Sequence, residues 1–193
     1  MKKSVFQVFG LMLLGFAASG ALAQERVGDF ALLDQAGYFH HMSWYDDNKA
    51  IVFLVQDNDD AAVEAVLPTY ARMAESYADQ DIQFFLINPT ARLDRDAVQQ
   101  EMDLMGIEIP VLMDDAQLIS EALGVERTAE ALLYDPTQFT VVYRGAVGAE
   151  LEEALSAVVN GDAIPSSSLS SDCSRITYAA RVAHQQAVPA YEK

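Results

Sequence analysis

The chemistry available to this chain starts with a single cysteine, Cys173, in a sequence of 193 residues. A thiolate is the species that attacks disulfides and peroxides, so this residue is a candidate catalytic thiol. It follows a serine-rich stretch, where we predict an accessible side chain, and Arg175 is the nearest cation along the chain. One thiol cannot form a disulfide within its own chain. A cysteine without a chemical role is the alternative, and the sequence leaves both interpretations open.

Two further groups contain side chains that bind metals. His40, His41 and Met42 are adjacent, but on a strand His41 points away from the other two, which leaves at most two local ligands. Residues 57–60 form an oxygen-rich loop, yet the glycine and the distal glutamate of a calcium loop do not follow. We therefore predict no metal site and no bound cofactor. No combination of serine, histidine and acid indicates hydrolysis.

Two apolar runs, residues 50–55 and 82–87, have the length and composition of strands buried on both faces. Each precedes a helical pattern that begins after an aspartate able to cap it. For the first helix this is Asp59 or Asp60, and for the second it is Asp94. The first helix is predicted to reach about Tyr77 with Pro68 inside it. The second is predicted to turn four side chains inward: Ala97, Val98, Met102 and Met105.

Shorter elements complete the predicted fold. A hairpin is expected at 30–33 and 38–42, an extended piece at 109–112, a short helix at 118–123, a strand pair at 131–134 and 140–143, and a last helix that buries Leu151, Ala154, Leu155 and Val158. Parallel strands need helical crossovers. The order of elements therefore predicts an α/β fold, a three-layer α/β/α sandwich with a mixed central sheet and an N-terminal hairpin.

The two ends of the chain differ from its middle in composition. Lys2 and Lys3 precede an apolar stretch, and small residues end at Ala23, which is typical of a signal peptide cleaved before Gln24. We predict a signal peptide at 1–23, one domain at 24–164, and a serine-rich linker with a partly ordered tail at 165–193. The protein is then periplasmic or secreted, without membrane attachment after cleavage; a retained anchor is the alternative.

The charge of the chain limits its partners. Asp and Glu number 29 against 12 Lys and Arg, a formal net charge of −17. Nucleic acid is excluded as a partner because binding to phosphates needs a positive surface. An acidic surface attracts a basic protein or a cation.

Several short phrases carry a family resemblance: Val27-Gly28-Asp29-Phe30, Ile109-Pro110-Val111-Leu112 before Asp114, Leu123-Gly124-Val125 before Arg127-Thr128, and Tyr143-Arg144-Gly145. In this order and spacing, with the strand before a proline-containing helix, they resemble the redoxin and AhpC/TSA branch of the thioredoxin-like superfamily over about Arg26–Ile164. The resemblance implies a thioredoxin-like fold.

The family's active-site pattern is absent from this sequence. Its members place two cysteines three residues apart at the start of the helix, the second one five residues before the proline. Counting back from Pro68, these positions are Asp60 and Val63. Where the family presents threonine and a cis proline, this chain has Thr128 and Ala129, and we predict a trans bond there. The resemblance thus implies a former active site that has lost its thiol chemistry.

The tail resembles a domain junction. Cys173 with Ile176-Thr177-Tyr178-Ala179 is similar to a segment that leads, in one group of redoxins, into a cytochrome c domain, but no Cys-x-x-Cys-His follows. This implies a separate redox or haem protein as partner. We expect a binding or accessory module that docks a periplasmic protein around Asp60 and Thr128. The alternative is a one-cysteine peroxidase or disulfide exchanger that uses Cys173.

Overall fold

The structure is a computed structural model and describes residues 26–90, 94–165, 173–179 and 181–183. The strands of this part are β1 (Ala31–Asp34), β2 (Phe39–His41), β3 (Ala50–Val55), β4 (Ile82–Asn88), β5 (Val111–Met113), β6 (Glu130–Asp135) and β7 (Thr140–Ala146). The α-helices are α1 (Ala61–Ser76), α2 (Arg95–Met105), α3 (Leu118–Ala122) and α4 (Ala149–Asn160), and a 3-10 helix spans Met42–Tyr45. The predicted signal peptide lies outside the described residues.

All seven strands form one sheet in the order β2-β1-β5-β4-β3-β6-β7. The central strands β3, β4 and β5 are parallel, while β1, β2, β6 and β7 pair antiparallel with their neighbours. The mixed sheet and the N-terminal hairpin are as predicted. Because β6 lies next to β3, the loop before β6 reaches the carboxyl end of β3 and the helix that follows it.

Two hydrophobic cores cover the two faces of the sheet. Alternate residues of β3 point to opposite sides, so Val52 packs with α1, α2 and α4, whereas Phe53 packs with the N-terminal segment and the residues after α3. Every residue of β3 is buried. This explains why its sequence is continuously apolar and confirms the three-layer α/β/α arrangement.

Helix α1 keeps its predicted bounds and contains Pro68. It is held to the sheet by Tyr70, whose hydroxyl donates to the carbonyls of Val52 (3.0 Å) and Phe85 (2.7 Å). In α2, Val98 and Met102 are buried as predicted. The inward placement of Ala97 was wrong, because its side chain is exposed. Residues 98 and 102 are one helical turn apart and face the sheet together, which turns the preceding position toward solvent.

The first hairpin strand lies one residue later than predicted, and the second is two residues shorter. β2 ends at His41, and Met42 begins the 3-10 helix, its side chain fully buried. The amide of Met42 donates to the carbonyl of Phe30 at 2.9 Å, which is the last hydrogen bond of the hairpin ladder, and the chain then turns into the 3-10 helix. None of the helices in the described part of the chain is long and apolar enough to cross a membrane.

Candidate functional site

Asp60 is the N-cap of α1, at the carboxyl end of β3. Its Oδ1 atom accepts hydrogen bonds from the backbone amides of Ala62 (2.8 Å) and Val63 (3.2 Å). Its other oxygen accepts from the Thr128 hydroxyl at 2.9 Å, and the Ser174 side chain also donates to this carboxylate. Partial burial raises the pKa of Asp60, but these hydrogen bonds outweigh it and hold the pKa below its usual value. The carboxylate is therefore kept ionised at the positive end of the helix dipole.

The loop before β6 brings Thr128 and Ala129 to this helix end. Both are buried, and the amide of Ala129 donates to the carbonyl of Val55, the last residue of β3, at 2.8 Å. The bond between them is trans, as predicted. Ala129 adopts a left-handed backbone with φ of 56°, which a non-glycine residue adopts at a cost of about 1 kcal/mol. Loop shape here is set by tertiary contacts.

An ion pair also holds the loop before β6 in place. Glu130 is almost fully buried and pairs with Arg144 of β7. The guanidinium group also donates to the carbonyls of Gly124 (3.0 Å) and Leu123 (2.5 Å), which lie after α3. Arg144 thus joins β7, the end of α3 and the start of β6 into one unit.

The four positions predicted to be a former active site are only partly brought together. Asp60 and Thr128 are in direct contact, and Ala129 pairs with the end of β3. Val63 is buried among the core residues of α1. Asp60, at the position of the family's first cysteine, therefore contacts the loop before β6. Val63, at the position of the second cysteine, is a core residue.

A C-terminal segment, residues 173–179 and 181–183, lies along this loop. Arg175 forms an isolated antiparallel bridge with Arg127. The amide of Thr128 donates to the carbonyl of Ser174, and the amide of Ile176 donates to the carbonyl of Glu126, both at 2.9 Å. The segment therefore adds a very short strand to the edge formed by residues 126–128.

The rest of the C-terminal segment is held by Gln117 and by a buried tyrosine. Gln117 donates to the carbonyl of Thr177 at 3.0 Å and accepts from the amide of Ala179 at 3.0 Å. Tyr178 is 4% exposed, and its hydroxyl donates to the carbonyl of Val125 at 2.7 Å. Burial raises the pKa of Tyr178 to about 12, so it remains a donor at neutral pH. Arg181 stacks over its ring at 4.7 Å.

A cavity of about 490 Å³ lies between the C-terminal segment and the end of the sheet. Its sheet side includes Asp57, Pro89, Thr90, Gln117 and Thr128, and its other side is lined by residues of the C-terminal segment. We call this space the cleft. The segment therefore covers the predicted former active site and leaves a partly enclosed space beneath it.

Cys173 lies at the start of this segment. It is half-buried, unlike the accessible side chain predicted from sequence. Its carbonyl accepts from the Arg127 guanidinium at 2.8 Å, and the next residue, Ser174, contacts both Asp60 and Thr128. Cys173 is thus the residue before one that contacts both Asp60 and Thr128.

The acidic loop at 57–60 is hydrogen-bonded rather than organised as a cation site. The Thr90 hydroxyl donates to Asp57 at 2.5 Å, and the amide of Asp59 donates to Glu101 of α2 at 3.4 Å. Burial raises the pKa of Glu101, the amide of Asp59 opposes this, and the charges of Asp59, Glu64 and Asp57 raise it further. These four carboxylates, called the acidic rim, concentrate negative potential beside the cleft.

Buried amides hold the strand ends below this rim. Asn88 donates to Gln56 at 2.6 Å, and Gln56 donates to Asn58 at 3.0 Å. Asn88 in turn accepts from the amide of Thr90 at 2.8 Å. Because polar groups that are buried here pair with one another, the network fixes the loops after β3 and β4.

His40 is held inside the hairpin by two neighbours. Its Nε2 lies 2.9 Å from the buried carboxylate of Asp34, and its Nδ1 lies 2.7 Å from the hydroxyl of Tyr45. Partial burial and the charge of Asp34 raise the pKa of Tyr45. Both ring nitrogens of His40 are thus used within the protein.

His41 lies on the opposite side of the strand, as predicted. Its Nε2 is 3.1 Å from Asp29 and its Nδ1 is 2.8 Å from the Ser43 hydroxyl. This serine, histidine and aspartate group was not predicted from the sequence. Because the Ser43 amide also donates to Asp29, at 3.1 Å, the group ties the 3-10 helix to the N-terminal segment. Among the described residues, no three or more His, Cys, Asp and Glu side chains are placed to hold a metal ion.

With this geometry established, comparison with known proteins identifies the family. The sequence profile of the AhpC/TSA family matches residues 23–149. The chain belongs to the AhpC/TSA family. No curated protein matches its sequence significantly.

Solved structures support the same fold for this AhpC/TSA-family chain. It is similar to a hypothetical protein from Sinorhizobium meliloti 1021, with 25% identity over 81% of this chain and 94% of that chain and a TM-score of 0.72. It also resembles the peroxidoxin BcpB from Mycobacterium tuberculosis, with 14% identity, coverage of 71% and 93%, and a TM-score of 0.56. A secreted disulfide oxidoreductase from the same organism gives 16% identity, coverage of 68% and 95%, and a TM-score of 0.53. The fold is thioredoxin-like.

Proposed function

We propose that this AhpC/TSA-family protein is an exported binding or accessory module that docks a partner at the carboxyl end of its sheet. The observation that carries the proposal is the hydrogen-bonded carboxylate of Asp60 at the start of α1. A carboxylate occupies the helix end where thiol chemistry takes place in the family, and its oxygens are engaged by two backbone amides and by the hydroxyls of Thr128 and Ser174. A carboxylate neither exchanges disulfides nor reduces peroxide.

The acidic rim indicates the charge of the partner. Asp57, Asp59, Glu64 and Glu101 lie close enough for three of them to raise the pKa of the fourth. The chain as a whole carries a formal charge of −17. A partner with a basic face is favoured by this field. The tail's resemblance to a cytochrome junction makes a redox or haem protein the first partner to seek.

A binding experiment with charge reversal tests this role. The full mature chain, with an N-terminal tag, is immobilised and exposed to the exported proteins of the producing cell. We expect one protein to be retained by the wild type and by Glu153→Lys, which changes the same charge on the exposed side of α4, and to be reduced about tenfold or more by Glu64→Lys with Glu101→Lys. A haem absorption band in the eluate would identify a haem partner. Retention that is equal in all variants, or no retained protein, contradicts the proposal.

Export is part of the same proposal. It is supported by the signal-peptide pattern ending at Ala23 and by the family match, which begins at residue 23. N-terminal sequencing of the protein recovered from cells should start at Gln24. A chain that begins at Met1 or Lys2 in the cytoplasmic fraction contradicts export.

A second function is favoured by one contact. Because Ser174 bonds to Asp60 and Thr128, Cys173 lies next to the former active site. In a one-cysteine peroxidase, its thiolate would attack the O–O bond, form a sulfenic acid and release hydroxide, which is protonated to water. An external thiol would then form a mixed disulfide with loss of water, and a second thiol would release Cys173 and an external disulfide.

The rate of Cys173 oxidation by hydrogen peroxide separates the two functions. It is measured by mass spectrometry on the full mature chain, against cysteine in solution. We expect a rate near that of the cysteine control, because the half-buried side chain of Cys173 is less accessible to peroxide than cysteine in solution. A rate about a hundredfold or more above the control would establish the peroxidase instead, provided that Cys173→Ser also abolishes catalytic reduction of peroxide.

A further inference from the structure

The backbone edge at residues 126–128 is satisfied by the chain itself. Thr128 donates to Ser174, and Glu126 accepts from Ile176, with an antiparallel bridge between Arg127 and Arg175. This alternation of donor and acceptor on both sides of one residue is the pattern of an added antiparallel strand. A strand added in this way is recognised through its backbone, so the edge is suited to an extended peptide.

Side-chain contacts give this edge selectivity. Gln117 bonds to the backbone at both Thr177 and Ala179, on either side of Tyr178. Tyr178 is buried, and its hydroxyl donates to the carbonyl of Val125. Ile176 packs against the core on the face of the sheet that includes Leu123 and Val125. The site thus has a backbone edge, a glutamine side chain that binds the backbone of the segment, and one position each for an aromatic and an aliphatic side chain.

We propose that residues 117 and 125–128 form a binding site for an extended peptide with an isoleucine and a tyrosine two residues apart, and that the chain's own C-terminal segment is its resident ligand. The segment occupies the site within the same molecule and covers the cleft. A foreign extended segment of this type binds only when the resident one leaves. This occupancy does not depend on the partner role proposed above, because it concerns contacts within one chain.

The test uses full-length variants altered only in the ligand, so that the receptor side stays intact. Tyr178→Ala removes the buried ring and its hydroxyl, and Ile176→Pro removes the amide that donates to Glu126. A fluorescent synthetic peptide of residues 173–183, with serine in place of cysteine, is titrated into each chain. Tyr38→Ala, at an exposed tyrosine of the hairpin, is the matched control.

We expect saturable binding of the peptide to Tyr178→Ala and to Ile176→Pro. Binding to the wild type and to Tyr38→Ala should be about tenfold weaker or more, because apparent affinity falls with the fraction of sites that are open. A peptide in which the residue matching Tyr178 is alanine should not bind any chain measurably. Circular dichroism and urea unfolding of each variant establish that the domain is folded.

Three outcomes overturn the proposal. The first is the absence of peptide binding to both tail variants when they are folded. The second is equal binding to all four chains, which would mean that the segment does not occupy the site in solution. The third is elution of the wild type as a dimer that Ile176→Pro converts to a monomer, because the segment would then be exchanged between two copies. The result is independent of the charge-reversal experiment, since no rim residue is altered.

Discussion

Asp60 and Asp94 have the same local role in two different settings. Each follows a buried parallel strand and begins a helix, α1 or α2, by accepting a backbone amide. Asp94 is exposed and accepts from the amide of Asp96 at 3.1 Å. Asp60 additionally receives the hydroxyls of Thr128 and Ser174. The difference arises from sheet order, because β6 lies beside β3 and delivers its loop to the start of α1.

Residue type alone therefore does not define a site. An aspartate before a helix is a common cap wherever it occurs. At α1 the same cap also joins the helix to the β6 loop and to the C-terminal segment. Its removal should therefore disturb three parts of the chain, whereas removal of Asp94 should disturb one.

The largest expected difference is in stability. Asp60→Ala should lower the free energy of unfolding by about 2 kcal/mol, the upper range for loss of a cap, because Thr128 and Ser174 lose their acceptor as well. Asp94→Ala should lower it by about 0.5–1 kcal/mol. Urea unfolding followed by circular dichroism measures both. Equal losses would mean that the two caps are equivalent and that the contacts around Asp60 add nothing.

A smaller effect is expected when only the contact between the loop and the helix is removed. Thr128→Val keeps the shape of the buried side chain but deletes its hydroxyl, and the free energy of unfolding should fall by about 1 kcal/mol. Thr69→Val, on α1 away from this contact, should change it by less than about 0.5 kcal/mol. In the Asp60→Ala background the effect of Thr128→Val should shrink, since the acceptor is already absent. Full additivity would contradict a direct contribution from this hydrogen bond.

The smallest effect is the pH dependence of the Asp60 contribution. The pKa of Asp60 is lowered in the folded chain, so its stabilising effect is fully present above the usual value of 3.8 and is lost as pH falls through the lower folded pKa. Asp60→Asn retains a capping oxygen and does not titrate. The difference in unfolding free energy between the wild type and Asp60→Asn should be constant at higher pH and should narrow below about pH 4. A difference that widens on acidification would contradict a lowered pKa of Asp60 in the folded chain.

Local features of the fold were predictable from sequence. The strands β3 and β4 are continuous apolar runs, which report burial on both faces directly. The caps at Asp60 and Asp94 depend only on contacts with the next few residues. Ala97 was assigned wrongly because a small apolar residue fits either side of a helix.

Only some contacts of the candidate site were predictable from the sequence. The resemblance to the family led to Asp60 and Thr128, and the structure brings them into contact. The docking of the C-terminal segment was not predicted, because its contacts with the rest of the domain join residues 46 or more positions apart and leave no periodic pattern. The acidic rim was missed in part for the same reason, since Glu101 comes from α2, 42 positions after Asp59.

The bridge between Arg26 and Thr140 affects how the protein should be attached to a surface. Thr140 begins β7, which pairs with the last residue of β6, so this contact lies at the end of the sheet opposite Thr128. The C-terminal segment lies at the other end, beside the cleft. Tethering through the N-terminal side leaves the cleft facing outward for ligands in a biosensor. A tether or fusion partner placed just after residue 183 crowds the face that such a device is meant to present.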